Sequence, residues 1–447
     1  MSSSHIKRIR LLITLTVAAI LIGGTLIAIQ FAKGYRPNFG QLSVRGTGLL
    51  SATSYPKSAQ VFINNRLTTV TDDTLYLSPD KYEIKIVKTG FQPWIKTLPI
   101  KAELVTLTDA RLFPSIPSFT PLTFYKVENP VVSPDGNKLA YVLSGSPFTE
   151  DDGIYILSLG NNLLGNQITQ ITNENRDYSK AVLAWSPDSG DLLAVFAENN
   201  KITASHLLNT RGMNQVKNIV DTTARLPQIL SQWQDQLIRI NQSSLTRLPD
   251  FMIKIASESA VNVYFSPDRE KLLYTATGNQ TLPENTIGAN LPNINPTKEI
   301  RELQEGKTYV YDTKEGTNYL IEKATYNKDT SQPLLVKQVE QTPTPVPTKT
   351  KTPPTDPLLK QIALIKGQTE PHSTQNLSWY PTNRHLIITS NDNISIIEYD
   401  GLNLTQISSA QLAGGFATTS PDGNRLIILS NFNQNPDIYN LLSLDLK

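Results

Sequence analysis

The sequence predicts a mainly β protein that follows a single N-terminal transmembrane helix. Three patterns support this prediction: an uncharged apolar run over residues 11–32, alternation of apolar and polar residues from Lys81 to Lys88, and a Ser-Pro-Asp turn that recurs from residue 133 onward. The first pattern has the length of a membrane span, and the second has the period of a strand. We therefore expect a helix, a small β domain and a larger domain of repeated units, in that order.

Composition narrows the functions open to this chain of 447 residues, which is long enough for two or three domains. The formal net charge is +2, so no strongly basic surface points to nucleic acid, and we expect no nucleic-acid partner. The chain contains no cysteine. Disulfides, thiolate metal sites, a cysteine nucleophile and a lipid-modified cysteine anchor are therefore excluded.

The apolar run would span roughly 33 Å as a helix, about one hydrocarbon core. Cationic or titratable residues flank it unevenly: His5, Lys7, Arg8 and Arg10 before it, Lys33 and Arg36 after it. This modest asymmetry favours residues 1–10 as a cytoplasmic tail, residues 11–32 as the transmembrane helix, residues 33–46 as a linker and an extracytoplasmic remainder. A cleaved signal peptide is the alternative, although its apolar core is usually shorter. The Gly23-Gly24 pair could let helices pack closely, but such pairs are more often simply tolerated in lipid.

Residues 47–113 are predicted to form short strands of one small domain. A first strand from Gln60 ends at Asn64-Asn65, a pair suited to a tight hairpin turn. A second runs from Thr74 to Leu77, and a third follows with one apolar side. That apolar side consists of Tyr82, Ile84 and Ile86.

The order of these features resembles the PEGA domain. The family segments correspond here to Pro56–Ala59, Val61–Asn64, Leu77–Tyr82 and Gly90-Phe91. Two positions depart from the family pattern: the family has Glu-Gly where this chain has Lys57-Ser58, and a turn glycine where it has Asp80. Asp tolerates left-handed backbone angles well enough to keep the turn. The resemblance implies a small β-sandwich of envelope and surface-layer proteins, without catalytic residues. Tyr82, Phe91 and Trp94 could line a glycan-binding face, but large aromatics more often fill the core of a small domain.

A turn motif recurs from residue 119 onward. In it, Pro fixes φ, Asp accepts nearby backbone hydrogen bonds and Gly takes a left-handed angle. The copies, of which the fourth is degenerate, are Ser133-Pro134-Asp135-Gly136, Ser186-Pro187-Asp188, Ser266-Pro267-Asp268, Tyr380-Pro381-Thr382-Asn383 and Ser420-Pro421-Asp422-Gly423. Each turn precedes a short apolar run that indicates a buried strand. Second strands are predicted at Ile154–Leu159, Tyr309–Asp312, Ile394–Tyr399 and Ile438–Leu444.

Units of three or four strands bury both faces only when several pack radially, as in a β-propeller. The pattern resembles the TolB-like propeller, whose blades contain this turn between their first two strands, and the resemblance covers residues 119–447. We expect five or six blades, with the sixth within 221–259 or 324–376. Phe119 to Val127 could pair with the last blade and close the ring.

Three insertions interrupt the repeats, at 226–240, 279–306 and 324–357. The first has Ile229, Leu230, Trp233 and Leu237 at helical spacing, which predicts an amphipathic helix that packs on the propeller or, less favoured, binds a partner. The second resembles a long loop. The third ends in a Pro- and Thr-rich tract from Gln341 to Pro357, where Lys349 and Lys351 could touch anionic wall polymers, although an inert spacer is the simpler interpretation.

No catalytic constellation is evident. The four histidines are scattered, at His5, His206, His372 and His385, and no metal, phosphate-loop or nucleophile-elbow motif occurs. The run Glu150-Asp151-Asp152-Gly153 could bind calcium, but it lacks the spacing of a loop site and a solvated turn is favoured. We predict no catalytic residue, no cofactor and no metal ligand.

These observations favour a membrane-anchored, extracytoplasmic, non-catalytic scaffold or binding protein of the cell envelope. Its partner would be a protein, a peptide or a cell-wall glycan held at the propeller surface. An envelope sensor is the alternative. It would need a membrane partner, because the ten or so residues on the cytoplasmic side are too few for an output domain. A glycan-processing enzyme with a site at the propeller channel is the third interpretation.

Overall fold

A computed structural model of the chain describes residues 3–32, 35–38, 43–160, 167–173, 176–284, 295–324, 326–337, 355–370, 376–431 and 438–447. The chain divides into two compact units. The first comprises Met1–Leu112 with Asn293–Pro296, and the second comprises Phe113–Pro292 with Thr297–Lys447.

The first unit begins with helix α1, Ser3–Ala32. Its segment Leu11–Gln30 is long and apolar enough to cross a membrane, with a mean hydropathy of 2.5, and none of that segment is buried. Strands β1 (Tyr35–Asn38) and β2 (Ser43–Gly46) then pair in antiparallel fashion. The region expected as a linker therefore includes regular structure.

The small β domain follows as nine short strands. They are β3 (Gly48–Ala52), β4 (Ser54–Tyr55), β5 (Gln60–Ile63), β6 (Arg66–Val70), β7 (Asp73–Leu77), β8 (Asp80–Val87), β9 (Trp94–Ile100), β10 (Val105–Leu107) and β11 (Ala110–Arg111). They form sheets in the orders β6-β5-β8-β9, β10-β3-β7 and β11-β4. One hydrophobic cluster, which includes the fully buried Leu50, Val61, Ile84 and Ile86, forms the core of this domain.

The predicted hairpin turn is confirmed, because Asn64 and Asn65 both adopt left-handed angles, with φ of 48° and 63°. The turn expected before Asp80 is present, since Ser78 and Pro79 separate β7 from β8, but Asp80 does not supply a left-handed angle. Asp80 is the first residue of β8 and is not among the residues with positive φ. The family's turn glycine therefore has no left-handed position to fill here.

Five antiparallel sheets of the second unit each include one copy of the repeated turn between two of their strands. The first sheet has strands β13 (Lys126–Val132), β14 (Lys138–Ser144), β15 (Gly153–Ser158) and β16 (Ile168–Gln170), and the second has β17 (Ala181–Trp185), β18 (Asp191–Glu198) and β19 (Lys201–Asn209). The third sheet has β20 (Ala260–Phe265), β21 (Lys271–Ala276), β24 (Thr308–Asp312) and β25 (Thr317–Leu320), and the fourth has β26 (Leu377–Trp379), β27 (His385–Thr389), β28 (Ile394–Glu398) and β29 (Thr405–Ser408). The fifth sheet has β30 (Leu412–Thr419), β31 (Arg425–Ser430), β32 (Asn440–Asp445) and, from the start of the unit, β12 (Phe119–Pro121).

The first strand of the unit completes the last sheet. Strand β12 pairs with β32 in antiparallel register, with Phe119 opposite Leu444 and Pro121 opposite Leu442. The Asp445 amide also donates to the Ser118 carbonyl at 3.1 Å. The pairing predicted from the sequence is thus confirmed for residues 119–121.

Shared hydrophobic cores connect neighbouring sheets. One cluster joins the first sheet to the second, another the third to the fourth, another the fourth to the fifth, and another the fifth back to the first. Fully buried side chains lie in each cluster, for example Trp185 in the first–second cluster and Leu441 in the fifth–first cluster. The contacts between sheets therefore follow a circular order that is interrupted between the second and third sheets.

Helices lie at that interruption. Helix α2 (Leu226–Leu245) packs Leu226, Leu230 and Trp233 into a cluster with the second sheet, and its last residue, Leu245, belongs to the core of the third sheet. Helix α3 (Asp250–Glu258) packs on the third sheet, and α4 (Pro357–Thr369) packs with α2.

Where a sixth blade was expected, within 221–259 or 324–376, the described residues include helices α2, α3 and α4, while residues 324 and 326–337 belong to no helix or named strand. The number of blades stays a prediction. The apolar residues of α2 recur at intervals of three and four, a period that suits a helix and not a strand. Asp356 caps α4 by accepting a hydrogen bond from the Leu358 amide at 2.9 Å, and Pro357 occupies the first turn. The predicted amphipathic helix at 226–240 is confirmed and extends to residue 245.

The region expected as a long loop contains a short ladder of β22 (Gln280–Thr281) and β23 (Glu302–Leu303). Residues 285–294, most of the Pro- and Thr-rich tract, Lys349 and Lys351 lie outside the described residues.

Candidate binding cavity

The repeated turns share one hydrogen-bond network. In the first turn the Ser133 hydroxyl donates to the Asp135 carboxylate at 2.5 Å and accepts from the Lys138 amide at 2.9 Å. The equivalent pairs are Ser186 with Asp188 and Asp191, Ser266 with Asp268 and Lys271, and Ser420 with Asp422 and Arg425. All four hydroxyls are thus engaged in closing a turn, as expected for structural residues.

The fourth residue of every turn adopts a left-handed backbone. The φ angles are 70° at Gly136, 60° at Ser189, 59° at Arg269, 62° at Asn383 and 67° at Gly423. Gly accepts this conformation freely and Asn tolerates it, whereas a long side chain pays about 1–2 kcal/mol for it. Arg269 is therefore the turn residue whose identity least suits its backbone.

Neighbouring turns bond to one another through these fourth residues. The Asp135 amide donates to the Ser189 hydroxyl, and the Asp268 amide donates to the Asn383 side-chain oxygen, both at 3.2 Å. The Tyr380 hydroxyl donates to the Gly423 carbonyl. These bonds link the first turn to the second, the third to the fourth and the fourth to the fifth.

Two tryptophans make an equivalent connection one layer below the turns. The Trp185 indole N–H donates to the Val131 carbonyl at 3.0 Å, and the Trp379 indole N–H donates to the Tyr264 carbonyl at 3.2 Å. In both cases the acceptor lies two residues before the turn serine of the preceding sheet. The first sheet therefore contacts the second through the same kinds of turn and tryptophan hydrogen bonds as the third sheet contacts the fourth.

All five turns line a single cavity of about 660 Å³. A volume of this size is typical of ligand-binding clefts. Helix α2 contributes Leu237, Ile240 and Asn241 to the wall, and α4 contributes Gln368 and Thr369. The cavity is thus formed by all five sheets that contain a repeated turn, together with helices α2 and α4.

The helical part of the wall is held by half-buried side-chain amides. The Asn241 side chain donates to the Leu335 carbonyl at 2.9 Å and to the Gln368 side-chain oxygen at 3.2 Å. The Tyr264 hydroxyl donates to the Gly367 carbonyl at 2.6 Å and so ties the third sheet to α4. Because these groups are engaged with each other, they give this side of the cavity a fixed shape.

Charge is distributed unevenly around the cavity. Burial raises the pKa of Asp135, but hydrogen bonds from Ser133 and Asn137 outweigh it, and the net pKa is lowered. The hydrogen bond from Ser186 lowers the pKa of Asp188. Both carboxylates are therefore ionised at neutral pH on the first and second sheets, while the described lining residues include one basic side chain, Arg269 on the third.

The residues singled out in the small domain have structural roles. Trp94 is buried in the core, and Tyr82 and Phe91 pack against the same cluster. The interpretation of these aromatics as core residues is therefore favoured over a glycan-binding face.

The acidic run before β15 is a local turn. The Asp152 carboxylate accepts hydrogen bonds from the Gly145 and Ser146 amides at 3.2 and 3.0 Å, and the Asp151 carboxylate accepts from the Ser146 hydroxyl at 3.3 Å. Within the part of the chain that the structure describes, no group of three or more acidic or histidine residues could hold a metal ion. The solvated-turn interpretation accounts for this run.

The histidines occupy separate structural positions. His206 is buried in the second sheet, where its Nδ1 lies 3.1 Å from the Tyr178 hydroxyl and its Nε2 lies 3.1 Å from Arg176. Since a guanidinium only donates, Nε2 is the acceptor, and burial lowers the pKa of His206 so that it stays neutral. His385 contacts the Thr382 hydroxyl in the fourth sheet at 3.0 Å. His372 and the side chain of His5 lie outside the described residues.

Sequence reasoning did not find the polar residues that line the cavity. Ser378, Thr418 and Thr419 occur in strands β26 and β30, where the sequence offers nothing to separate them from other strand hydroxyls. Arg269 did carry a signal, because it replaces the turn glycine. An arginine at this turn position indicates a binding residue only when the structure shows that the five turns line one cavity.

Comparison with known proteins identifies the small domain. Residues 47–115 match the family model described as PEGA domain, in agreement with the resemblance seen in the sequence. No curated protein matches the chain.

Two of the solved structures similar to this chain are TolB proteins. The TolB structure from Agrobacterium tumefaciens is 15% identical, with 70% of this chain and 73% of that chain covered and a TM-score of 0.20. The TolB structure from Acinetobacter baumannii is 11% identical, with 82% of this chain and 60% of that chain covered and a TM-score of 0.21. Both TM-scores are low, so neither likeness bears on function.

Proposed function

We propose that this chain, whose residues 47–115 are a PEGA domain, is a membrane-anchored, extracytoplasmic binding protein of the cell envelope. Its repeat domain holds a segment of a partner protein in the cavity that the five turns line. The observation that supports this most strongly is that one turn from every sheet lines the same 660 Å³ cavity.

Helix α1 is the proposed anchor. Residues 11–30 are apolar, and none of this span is buried. The exposed leucines and isoleucines, such as Ile20 at 66% and Ile27 at 71%, would be costly in water but are favourable in lipid. The excess of cationic residues before the helix favours a cytoplasmic N-terminus and an exterior position for both β domains.

The repeat domain is proposed to be a propeller of five blades in which helices α2 and α4 take the place of a sixth. The circular order of shared cores, the β12–β32 pairing and the convergent turns support this arrangement. A propeller presents its inner loops at the mouth of a central channel, where residues from different blades can contact one ligand.

The chemistry of the wall favours binding over catalysis. The turn serines donate to the aspartates of their own turns. The two described β-domain histidines, His206 and His385, are engaged within separate sheets. The wall offers hydroxyls, a guanidinium and aromatic surface, which suit recognition of a ligand.

A single experiment tests both the topology and the use of the cavity. Because the chain has no cysteine, Pro421→Cys at the cavity and Val220→Cys, at an exposed position (69%) away from it, give two unique thiols. Both are labelled in spheroplasts with a membrane-impermeant, photoactivatable maleimide. We expect both thiols to react without lysis, and illumination to yield a protein adduct from position 421 alone.

Reaction of both thiols only after lysis would contradict the exterior topology. Reaction of both without lysis, followed by identical adducts from the two positions or by none, would contradict binding at the cavity while leaving the topology intact.

A further inference from the structure

Four polar side chains at the cavity wall have no hydrogen bond or ion pair among the described residues: Arg269, Ser378, Thr418 and Thr419. The three hydroxyl residues are 4%, 6% and 9% exposed, and all three line the cavity. None of the four contributes a fully buried polar atom without a partner, so their polar groups remain accessible at the cavity wall. The four residues belong to the third, fourth and fifth sheets, so they form one arc, which we call the donor arc.

Arg269 holds an unfavourable backbone angle at the end of this arc. Its φ is 59°, at a turn position that the other sheets fill with Gly, Ser, Asn and Gly. A glycine here would relieve the strain, so the local structure of the turn does not explain an arginine. Strained residues tend to occur where they contribute to function.

The acidic residues next to Arg269 are engaged elsewhere. Glu270 forms an ion pair with Lys314 at 2.7 Å. The Asp268 carboxylate accepts a hydrogen bond from the Ser266 hydroxyl at 2.5 Å and from the Glu270 amide at 3.1 Å. The guanidinium is thus a cation without a described acidic partner at the edge of a cavity.

We propose that the donor arc binds a carboxylate of an extended peptide segment of the partner, with Arg269 as the residue that determines specificity. This inference rests on the proposed function and names what the cavity recognises. A guanidinium matches a carboxylate in a bidentate geometry. Ser378 adds a hydroxyl donor, and so does one of the consecutive strand residues Thr418 and Thr419, whose side chains face opposite ways. A single cation suits a monoanion better than a phosphate dianion.

The aromatic residues at the cavity favour a peptide over a sugar. Tyr264 is buried at 7% exposure, its hydroxyl bonds to Gly367, and its carbonyl accepts from the Trp379 indole. The buried Tyr264 ring is therefore not a free platform of the kind on which a sugar face packs. The ionised Asp135 and Asp188 on the first and second sheets repel an anion from that side, which leaves the donor arc as its place.

The test measures discrimination between matched peptides. The full chain in lipid nanodiscs is titrated against a panel of fluorescein-labelled hexapeptides. Each Asp- or Glu-containing peptide has an Asn or Gln twin, and each is made with a free and an amidated C-terminus. These arms separate a side-chain carboxylate from a terminal one. An oligosaccharide of uronic acid serves as the non-peptide carboxylate.

We expect some peptides to bind with a preference of about tenfold for the carboxylate over its amide twin, and R269Q and R269G to reduce that preference to about one. R269G should also raise the thermal unfolding midpoint, because glycine relieves the left-handed turn. A purely structural arginine would not combine greater stability with lost discrimination. The matched control is R247Q, at an exposed position outside the cavity, which should leave the preference unchanged.

A carboxylate preference that survives R269Q and R269G would overturn the assignment of Arg269, and equal binding of acid and amide twins would overturn the carboxylate. Both results leave a cavity that binds peptide, as the proposed function requires. Arg269-dependent binding of the uronic acid in place of every peptide would overturn the choice of a peptide. Failure of all probes to bind would also overturn the choice of a peptide. The proposed function would then still be decided by cross-linking from position 421.

Discussion

Replacing Trp185 with alanine is expected to lower the free energy of unfolding of the repeat domain by about 3–5 kcal/mol, the usual cost of deleting a large buried aromatic side chain. The Trp185 side chain is fully buried between the first and second sheets, and its indole N–H donates to Val131 at 3.0 Å. Its loss leaves a cavity in the core that the two sheets share and removes a hydrogen bond between them. Urea unfolding followed by circular dichroism measures the change.

The matched control is Trp379→Ala. Trp379 makes the equivalent hydrogen bond to Tyr264 between the third and fourth sheets, but it is only partly buried. Because less apolar surface is lost, its effect should be clearly smaller than that of Trp185→Ala. An equal or larger loss of stability in Trp379→Ala would show that the burial of Trp185 between the first two sheets is not what makes its replacement costly.

Replacing Gly423 with alanine is expected to destabilise the repeat domain by about 2–5 kcal/mol. The left-handed φ of 67° costs a non-glycine residue about 1–2 kcal/mol. A Cβ atom there would also lie 3.0 Å from the ring and the hydroxyl of Tyr380, which is fully buried, so overpacking adds about 1–3 kcal/mol. Urea unfolding again provides the measurement.

Gly136→Ala isolates the contribution of the backbone. Gly136 holds the same turn position with φ of 70°, and no atom lies within 4 Å of the site of its Cβ. Its cost should therefore be about 1–2 kcal/mol, from the backbone alone. If the two alanine variants unfolded at the same urea concentration, the contact between the fourth and fifth turns would not be as described.

The repeated turns could be predicted because their chemistry is local. Ser, Pro and Asp in sequence specify hydrogen bonds within five residues, and the apolar run after each turn specifies a strand. Even the degenerate copy at Tyr380 has the position of a turn, although its Tyr hydroxyl bonds to the next turn and not to its own. Local order therefore determined the number and position of the five sheets.

The helices that occupy the place expected for a sixth blade could not be inferred by counting repeats. Helix α4 does carry helix signals in the sequence, namely the cap Asp356-Pro357 and the spacing of Leu358, Ile362 and Ile365. That the helices lie between the second and third sheets depends on contacts between residues far apart in the chain, such as Asn241 with Gln368. The donor arc also joins residues that are far apart in the chain, so the sequence alone does not predict it.

The most direct test of the account concerns the joining of the first and last strands of the repeat domain. Thr120 lies opposite Ser443 in the β12–β32 pair, where Cα atoms are about 5.5 Å apart, within the range of a disulfide. In this cysteine-free chain, Thr120→Cys with Ser443→Cys should form an intramolecular disulfide under mild oxidation, seen as a shift in gel mobility that a reductant reverses. Thr120→Cys with Leu442→Cys, one residue out of register, should not. No disulfide in the first variant, or equal disulfides in both, would contradict the joined strands on which the cavity depends.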